Sequence, residues 1–529
     1  MNTQYSIFDI IYPKYKMTKP IRLIELFGGY GSQALALKYL GVEFEHWKLV
    51  EWAVKSIQAY KDIHCTDDNT NYSKDLTKEN IIDILHYLGI SSNYNEPMTL
   101  EQIKRLNEPQ LRNIYNNIVA TNNLVNIQQV KGEDLEIVDT DKYCYIMTYS
   151  FPCQDLSLAG KGKGMSDTST RSGMLWEVER ILTECKELGT LPQILLMENV
   201  PQVHGEGNVE DFNKWQLRLE ELGYKNYWED LIATDYGIPQ TRNRCFMVSI
   251  LGDYSYQFPP KQPLKLKLKD MLEDNVDEKY YLSDKQIEDI QSWNAYEKPL
   301  ENMEKTDKNN ISPTLTTRSG AYAAGMILIK NATTKGYLEA KEGDGIDISS
   351  RMQHHRGTVQ KDKAQTITTF GGENVGVVID MKKQLCNDLI QNGKIKENDV
   401  IRHNYTTSKD GNCIQSNNEA PTLDTRCDCL GVCVGTYQFA KSDKFMNGKD
   451  RLQVGKETSD TLQTSPKEGV VNSDLRIRKL TPKECFKLMG VKDEDYGKCA
   501  KNQSNASLYH LAGDSIVVNV LMAIFKELL

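Results

Sequence analysis

Residues 21–41 read Ile21-Arg22-Leu23-Ile24-Glu25-Leu26-Phe27, then Gly28-Gly29-Tyr30-Gly31-Ser32-Gln33, then Ala34-Leu35-Ala36-Leu37-Lys38-Tyr39-Leu40-Gly41. The apolar run predicts a buried strand, the glycines a tight turn, and the third segment a helix closed by Gly41. A second strand is predicted at Trp47-Lys48-Leu49-Val50, closed by Glu51. Similar runs recur at Tyr143–Met147, Ile194–Met197 and Cys245–Val248, with helical patterns between them at Leu175–Leu182 and Trp215–Leu219. Alternating strands and helices predict an α/β fold on a doubly wound, mostly parallel sheet. The stretch from about 65 to 130 is polar, Asn-rich and helical in pattern from Leu100 to Val119. It reads as a surface insertion, and no chemistry is assigned to it.

At 529 residues the chain has room for two to four domains. With 39% apolar and 26% charged residues and a mean hydropathy of −0.53, it reads as soluble and globular. No apolar run approaches the ~20 residues that span a bilayer, and residues 1–17 lack the basic head and apolar stretch of a secretion signal. Membrane and secreted classes are therefore set aside. Twelve cysteines without regular spacing fit a reducing cytosol rather than a disulfide scaffold, so a cytoplasmic location is expected.

The pattern changes near Phe258-Pro259-Pro260-Lys261-Gln262-Pro263. Beyond it a Thr-rich phrase recurs four times, at 313–317, 365–369, 421–425 and 460–464, and each is followed by a glycine and a short apolar strand. The irregular spacing suits duplicated strand-turn-strand units rather than a solenoid. Helical periodicity returns near Leu480 and ends in an amphipathic helix at roughly 515–529. The overall net charge of −9 is uneven: residues 1–311 carry 34 Lys+Arg against 47 Asp+Glu, whereas residues 312–480 carry 24 against 20. A polyanionic partner would meet the middle-to-late segment rather than the first half.

Several residues stand where chemistry would be placed. The turn at Phe27, Gly29 and Gly31 lets a ligand approach the backbone near a helix start, and Glu51 stands where a ribose hydroxyl pair would be gripped. The spacing does not satisfy G-x-G-x-x-G, so a nucleoside-like cofactor fits better than a dinucleotide. Cys153, in Ser150-Phe151-Pro152-Cys153-Gln154, follows a strand at the carboxyl edge of the sheet and precedes a cationic glycine loop able to lower a thiol pKa. Glu198 ends another strand, and Arg242 and Arg244 precede a third. Cys427, Cys429 and Cys433 with His403 and Cys413 upstream lack a paired C-x2-C spacing, which argues against a zinc site.

In this order and at these strand ends, the chain resembles the C5-cytosine DNA methyltransferases. The resemblance runs through Phe27–Gly31, Glu51-Trp52, Asp134-Leu135, Phe151–Gln154, Ser172–Leu175, Glu198-Asn199-Val200 and Gln240–Arg244. It resumes at Arg478–Cys485 and Leu488-Met489-Gly490, and closes at Gly513–Val520. Asp514 is a departure, because the family usually has Asn after that glycine; one polar contact to the cofactor is put in question. Any one motif is weak, and the ordered set is highly specific.

The resemblance implies a sheet of the S-adenosylmethionine-dependent methyltransferase type with a second, smaller β-rich target-recognition domain. The expected division is a catalytic domain at 1–256, recognition at 257–475, and a C-terminal return at 476–529. It implies S-adenosylmethionine as cofactor and a cytosine flipped out of duplex DNA as substrate. Cys153 would be the nucleophile, Glu198 the proton donor at N3, and Arg244 a partner of the base, with Arg242 in the same catalytic group. The cofactor contacts would be Phe27, Gly29, Gly31, Glu51, Trp52, Asp134, Leu135, Pro152, Leu175, Asp514 and Ile516. No metal and no membrane partner are expected; the chain would act as a monomer, with any cognate restriction endonuclease a separate protein. The alternatives are a tRNA cytosine-5 methyltransferase, against which the long recognition segment argues, and a DNA-binding protein with a dead catalytic fold, against which the intact Cys153, Glu198 and Arg244 argue. His354-His355-Arg356 and Arg426 are candidates for phosphate or base contacts.

Overall fold

The structure, a computed structural model, describes residues 12–152, 172–281, 326–333, 337–348, 357–367, 375–380, 400–403, 412–415, 430–432 and 475–529. They fall in two compact units, one of residues 1–271, 363–374 and 481–529, the other of residues 272–362 and 375–480.

The first unit is built on a six-stranded sheet: β1 (Ile21–Leu26), β2 (Phe44–Val50), β3 (Cys144–Tyr149), β4 (Ile194–Asn199), β5 (Tyr224–Ile232) and β6 (Asn243–Leu251), in the order β2-β1-β3-β4-β6-β5. β1 to β4 run parallel, and β6 is antiparallel to both neighbours. The fold class is therefore as expected. β3 and β4 are buried along their whole lengths, which is why they read as unbroken apolar runs. β5 escaped that reading because it is an edge strand on which Trp228 and Glu229 are exposed and Lys225 and Asp230 only half-buried. The glycine turn leads into α1 (Ser32–Tyr39), whose first six residues are all buried. After β2 comes α2 (Val54–His64).

The segment expected to be a surface insertion folds around a core of its own. Ile81, Leu85, Ile103 and Leu111 are fully buried together with Ile57 of α2. Its helices lie at Lys78–Leu88, Leu100–Lys104 and Glu108–Ala120. The single helix expected from Leu100 breaks at Asn107, where an Asn107–Gln110 capping box and Pro109 start a new one.

The C-terminal helix likewise begins later than expected, at Val518–Leu528, with a separate helix at Asn505–Asp514. Together these residues are long and apolar enough for a bilayer span, contrary to the sequence expectation, but 72% of the apolar window is buried. Ser515, in extended backbone, separates the two helices.

The second unit holds the sheet β10-β9-β11-β15, the sheet β13-β12-β14 and the hairpin β7–β8. Here β7 is Met326–Lys330, β8 Tyr337–Lys341, β9 Gly345–Asp347, β10 Val359–Gln360, β11 Val375–Asp380, β12 Val400–His403, β13 Asn412–Gln415, β14 Leu430–Val432 and β15 Leu475–Lys479. β7, β11 and β14 are three of the four strands expected after the Thr-rich phrases. The fourth, with Cys427, Cys429, Cys433, Arg426 and His354–Arg356, lies outside the described residues.

Candidate active site

The glycine turn and Glu51 form one construction. The Phe27 N–H donates to the Val50 carbonyl at 2.8 Å, joining the ends of β1 and β2. One Glu51 carboxylate oxygen accepts the Gly29 N–H at 3.0 Å and the other the Ala53 N–H at 2.7 Å. Asn123 completes the hold, accepting from the Glu51 N–H at 3.1 Å and donating to its carbonyl at 2.9 Å. Burial pushes the Glu51 carboxyl up to about 7, with the charge of Asp514 acting the same way and the backbone N–H donors opposing it.

The two glycines have different reasons to be glycine. Gly29 has φ 56°, and a β-carbon built there meets nothing within 4 Å, so its free side opens on space. At Gly31, with φ 82°, a β-carbon would run into the His64 imidazole and come within 2.7 Å of the Tyr60 ring. Gly31 therefore serves packing, while Gly29 offers an approachable backbone. An open glycine edge beside an anchored carboxylate fits a nucleoside cofactor.

Around this turn, Trp52 is half-buried against the core of the inserted helices. Leu135 and Leu175 are fully buried in the sheet core, so what they can offer a ligand is backbone. The Leu135 carbonyl accepts the Trp47 indole N–H at 2.8 Å. Asp134 is half-buried, and its carboxylate accepts the Lys131 N–H at 2.8 Å.

Cys153 lies outside the described residues, but its approach is well tied. The Ser150 hydroxyl donates to the Phe27 carbonyl at 3.4 Å, and the Asn199 amide donates to the Phe151 carbonyl at 3.0 Å. Phe151 is buried and Pro152 half-buried. The chain thus enters position 153 anchored to the glycine turn on one side and to the residue after Glu198 on the other.

Glu198 and Arg244 are brought together. The Arg244 Nε lies 3.0 Å from a Glu198 carboxylate oxygen, both side chains being largely buried. Burial raises the Glu198 carboxyl above its ordinary range, against the opposing charges of Arg244 and Arg242. A carboxyl so placed can hold a proton nearer neutrality than a solvated one.

Arg242 is placed differently from a base-contacting residue. Its guanidinium is 4% exposed and donates to the carbonyls of Ile367 at 2.8 Å, Gly513 at 3.1 Å and Ser515 at 2.7 Å. Gln240 works beside it, donating to the Leu488 carbonyl at 2.7 Å and accepting the Ile367 N–H at 3.3 Å. Arg242 and Gln240 therefore knit the second Thr-rich phrase and the C-terminal segment to β6, a function spacing alone does not reveal. The Ser32 hydroxyl accepts the N–H of buried Ile516 at 3.4 Å, closing that segment onto α1.

Asp514 is exposed, pairs with His510 at 3.1 Å, and acts electrostatically on both Glu51 and Glu198. The His510 ring packs on Tyr94 of the insertion, centroids 3.9 Å apart. Asn123, Tyr94 and His510 were missed in the sequence because none sits in a motif.

Residues 102–529 match the C-5 cytosine-specific DNA methylase family. The chain is 38% identical over 275 residues to the type II methyltransferase M2.ScrFI of Lactococcus lactis subsp. cremoris, covering 51% of this chain and 72% of that protein. It is 38% identical over 271 residues to the orphan methyltransferase M.SssI of Spiroplasma monobiae, covering 50% and 68%. A longer match, 24% identical over 579 residues, spans 96% of this chain and 98% of the orphan methyltransferase M.Rho11sI of Bacillus phage rho11s. The chain is a methyltransferase of the S-adenosylmethionine-dependent class, and it belongs to the C-5 cytosine-specific DNA methylase family. It is an enzyme that methylates C5 of cytosine in DNA.

Proposed function

We propose that the reaction runs through Cys153, Glu198 and Arg244, on a cytosine extruded from a specific duplex sequence. The Cys153 thiolate adds to C6 of the ring, and the displaced electron density is taken up at N3 by the Glu198 proton. Arg244 holds Glu198 at the base edge. Bound S-adenosylmethionine supplies an electrophilic methyl group for C5; Gly29, Glu51 and the segment around Asp514 hold it. As C5 takes the methyl group the N3 proton returns to Glu198, and loss of the C5 proton to a base then lets the C6–sulfur bond break, returning the Cys153 thiolate and an aromatic 5-methylcytosine.

The observation that carries this reading is the buried Glu198–Arg244 pair beside the anchored approach to position 153, with the Glu198 carboxyl raised by burial. The test is Cys153→Ala with labelled S-adenosylmethionine and duplex DNA. DNA binding should survive and methyl transfer disappear; undiminished transfer refutes the nucleophile assignment. Incorporation into duplex DNA but not tRNA, with bisulfite mapping of sites, would define the substrate. We further propose that the second unit is the target-recognition domain, because a β-rich segment with repeated strand phrases interrupts the catalytic unit. The enzyme then acts as a cytoplasmic monomer, any cognate endonuclease being separate.

A further inference from the structure

Three side chains with metal-binding atoms converge where β5 and β6 end the first unit's sheet. His204 closes the short turn Pro201–His204 that follows Glu198-Asn199, Asp230 lies on β5, and Cys245 lies on β6. The His204 Nε2 stands 2.9 and 3.1 Å from the two Asp230 carboxylate oxygens. Cys245 is the cross-strand partner of Asp230, so the two side chains stand on one face of the sheet. One ligand atom from each residue, an imidazole nitrogen, a carboxylate oxygen and the Cys245 Sγ, lies within 4.8 Å of the other two. The His204 ring is held in place by Trp228 and Phe212, with centroids 4.7 and 6.1 Å away. Side chains alternate along β6, so Cys245 faces away from Arg244 and its partner Glu198. The cluster is therefore separate from the groups assigned to the reaction.

A histidine–aspartate ion pair needs only two of these residues. The thiol set beside the same carboxylate adds a soft donor, and it comes from a third element. Cys245 is fully buried, whereas the His204 and Asp230 side chains are 24% and 31% exposed, so an ion has a way in and water has a side to bind from. Burial pushes the Cys245 thiol up, with the charges of Asp230 and Glu198 acting the same way; a divalent cation among the three ligands opposes both effects.

We propose that His204, Asp230 and Cys245 form a zinc site with water as the fourth ligand. The ion takes Cys245 as thiolate, its proton leaving to solvent, with the neutral His204 Nε2 and one Asp230 oxygen. One sulfur, one nitrogen and one oxygen suit zinc and not magnesium or calcium, which take oxygen ligands. Tetrahedral bonds of about 2.0–2.3 Å place donor atoms roughly 3.3–3.6 Å apart, a spacing that small side-chain rotations reach here. The role is structural. Zinc would tie the turn after Glu198 to the edge strand β5, beside Asn199, which is the cross-strand partner of Cys245 and holds the Phe151 carbonyl.

The test loads the full chain with zinc sulfate, removes excess by gel filtration and measures bound zinc by mass spectrometry. His204→Ala and Asp230→Asn serve as variants because both positions are partly exposed, and the second is nearly isosteric. Wild type should hold about one zinc per chain more than either variant; cysteines elsewhere contribute equally and cancel. Equal zinc in all three proteins, or none in wild type, overturns the site. Wild type stripped with chelator needs no variant: zinc at about a hundredfold excess over its Kd should raise the thermal midpoint by roughly 5 °C. A midpoint indifferent to zinc overturns the site as well. With cobalt(II) in place of zinc, the difference spectrum between wild type and Asp230→Asn should contain a thiolate-to-metal charge-transfer band. Its absence removes Cys245 from the ligands and overturns the proposal.

Discussion

Arg242→Ala separates a structural arginine from a catalytic one. The guanidinium donates three hydrogen bonds of 2.7–3.1 Å to backbone carbonyls, from a side chain 4% exposed. Removing it leaves the carbonyls of Ile367, Gly513 and Ser515 without that donor, at roughly 1–3 kcal/mol each. Relief from burying the charge and water entering the space offset part of this, so a net loss of about 3–5 kcal/mol is expected. For a unit of this size, the apparent thermal midpoint should fall by roughly 5 °C. Differential scanning fluorimetry measures this. S-adenosylmethionine affinity should fall with it, because two of the three carbonyls flank Asp514.

The same substitution removes a positive charge that favours ionised Glu198. The Glu198 carboxyl then keeps its proton to higher pH, and the alkaline limb of kcat should move upward. Arg242→Lys keeps a charge but cannot reach three carbonyls from one ammonium. It should return the pH limb toward wild type while leaving the midpoint low. An Arg242→Ala protein with a wild-type midpoint and lost kcat would refute the clamp and return Arg242 to the reacting base.

Glu198→Gln removes the transferable proton and should lower kcat by about 10²–10⁴-fold with the fold intact, and wild-type kcat should decline toward alkaline pH as Glu198 ionises. Gly31→Ala drives a β-carbon into His64 and Tyr60 and should lower the thermal midpoint, whereas Gly29→Ala costs about 1 kcal/mol of backbone strain and should mainly raise KM for S-adenosylmethionine. Glu25 is buried, accepts the Tyr60 hydroxyl at 2.6 Å and the Ala34 N–H at 3.3 Å, and is raised by burial from 4.5 to about 7. A carboxyl raised on folding contributes stability that is present below its unfolded pKa and lost as pH rises through its folded one. Glu25→Gln should therefore gain on wild type between pH 5 and pH 8, by up to about 3 kcal/mol in urea unfolding; an unchanged difference between the two pH values refutes it.

Four of the six strands of the first unit were legible because burial leaves an apolar run that neighbouring polar helices cannot imitate, and the edge strand β2 was legible at its buried end, Lys48–Val50. β5 was not, since an edge strand carries charge on its open side and loses that contrast. The antiparallel setting of β6 was equally hidden: direction depends on the connection, and Cys245–Val248 reads the same either way. The inserted helices were underestimated because their apolar residues are spread thinly through Asn-rich sequence and meet only in space, at Ile57. For the site, strand ends pointed to Glu51, Glu198 and Arg244, where position in the fold and chemistry coincide. A spacing of two residues does not separate Arg242, whose guanidinium meets distant backbone carbonyls, from Arg244, which meets Glu198.

The dependence of the site on distant segments follows from the same contacts. Ile516 and Ser32 are 484 residues apart in sequence, yet their hydrogen bond joins the C-terminal segment to the helix after the glycine turn. Arg242 ties that segment across 271 and 273 residues, and Tyr94 meets His510 from the insertion. The glycine-turn region is thus joined to residues 510–516 only when the last fifty residues have docked on the first two hundred and fifty. Closing so long a loop is slow, because its entropy is lost before the contacts repay it. Most of the repayment comes from apolar burial of the terminal helices, where Leu521, Ile524, Phe525 and Leu528 are inaccessible to solvent. The polar contacts to residues 513–516 are too few to drive docking, but they set the register in which it occurs. Asp514, exposed between two such contacts, owes its place in that segment to helix packing on one side and to Arg242 on the other.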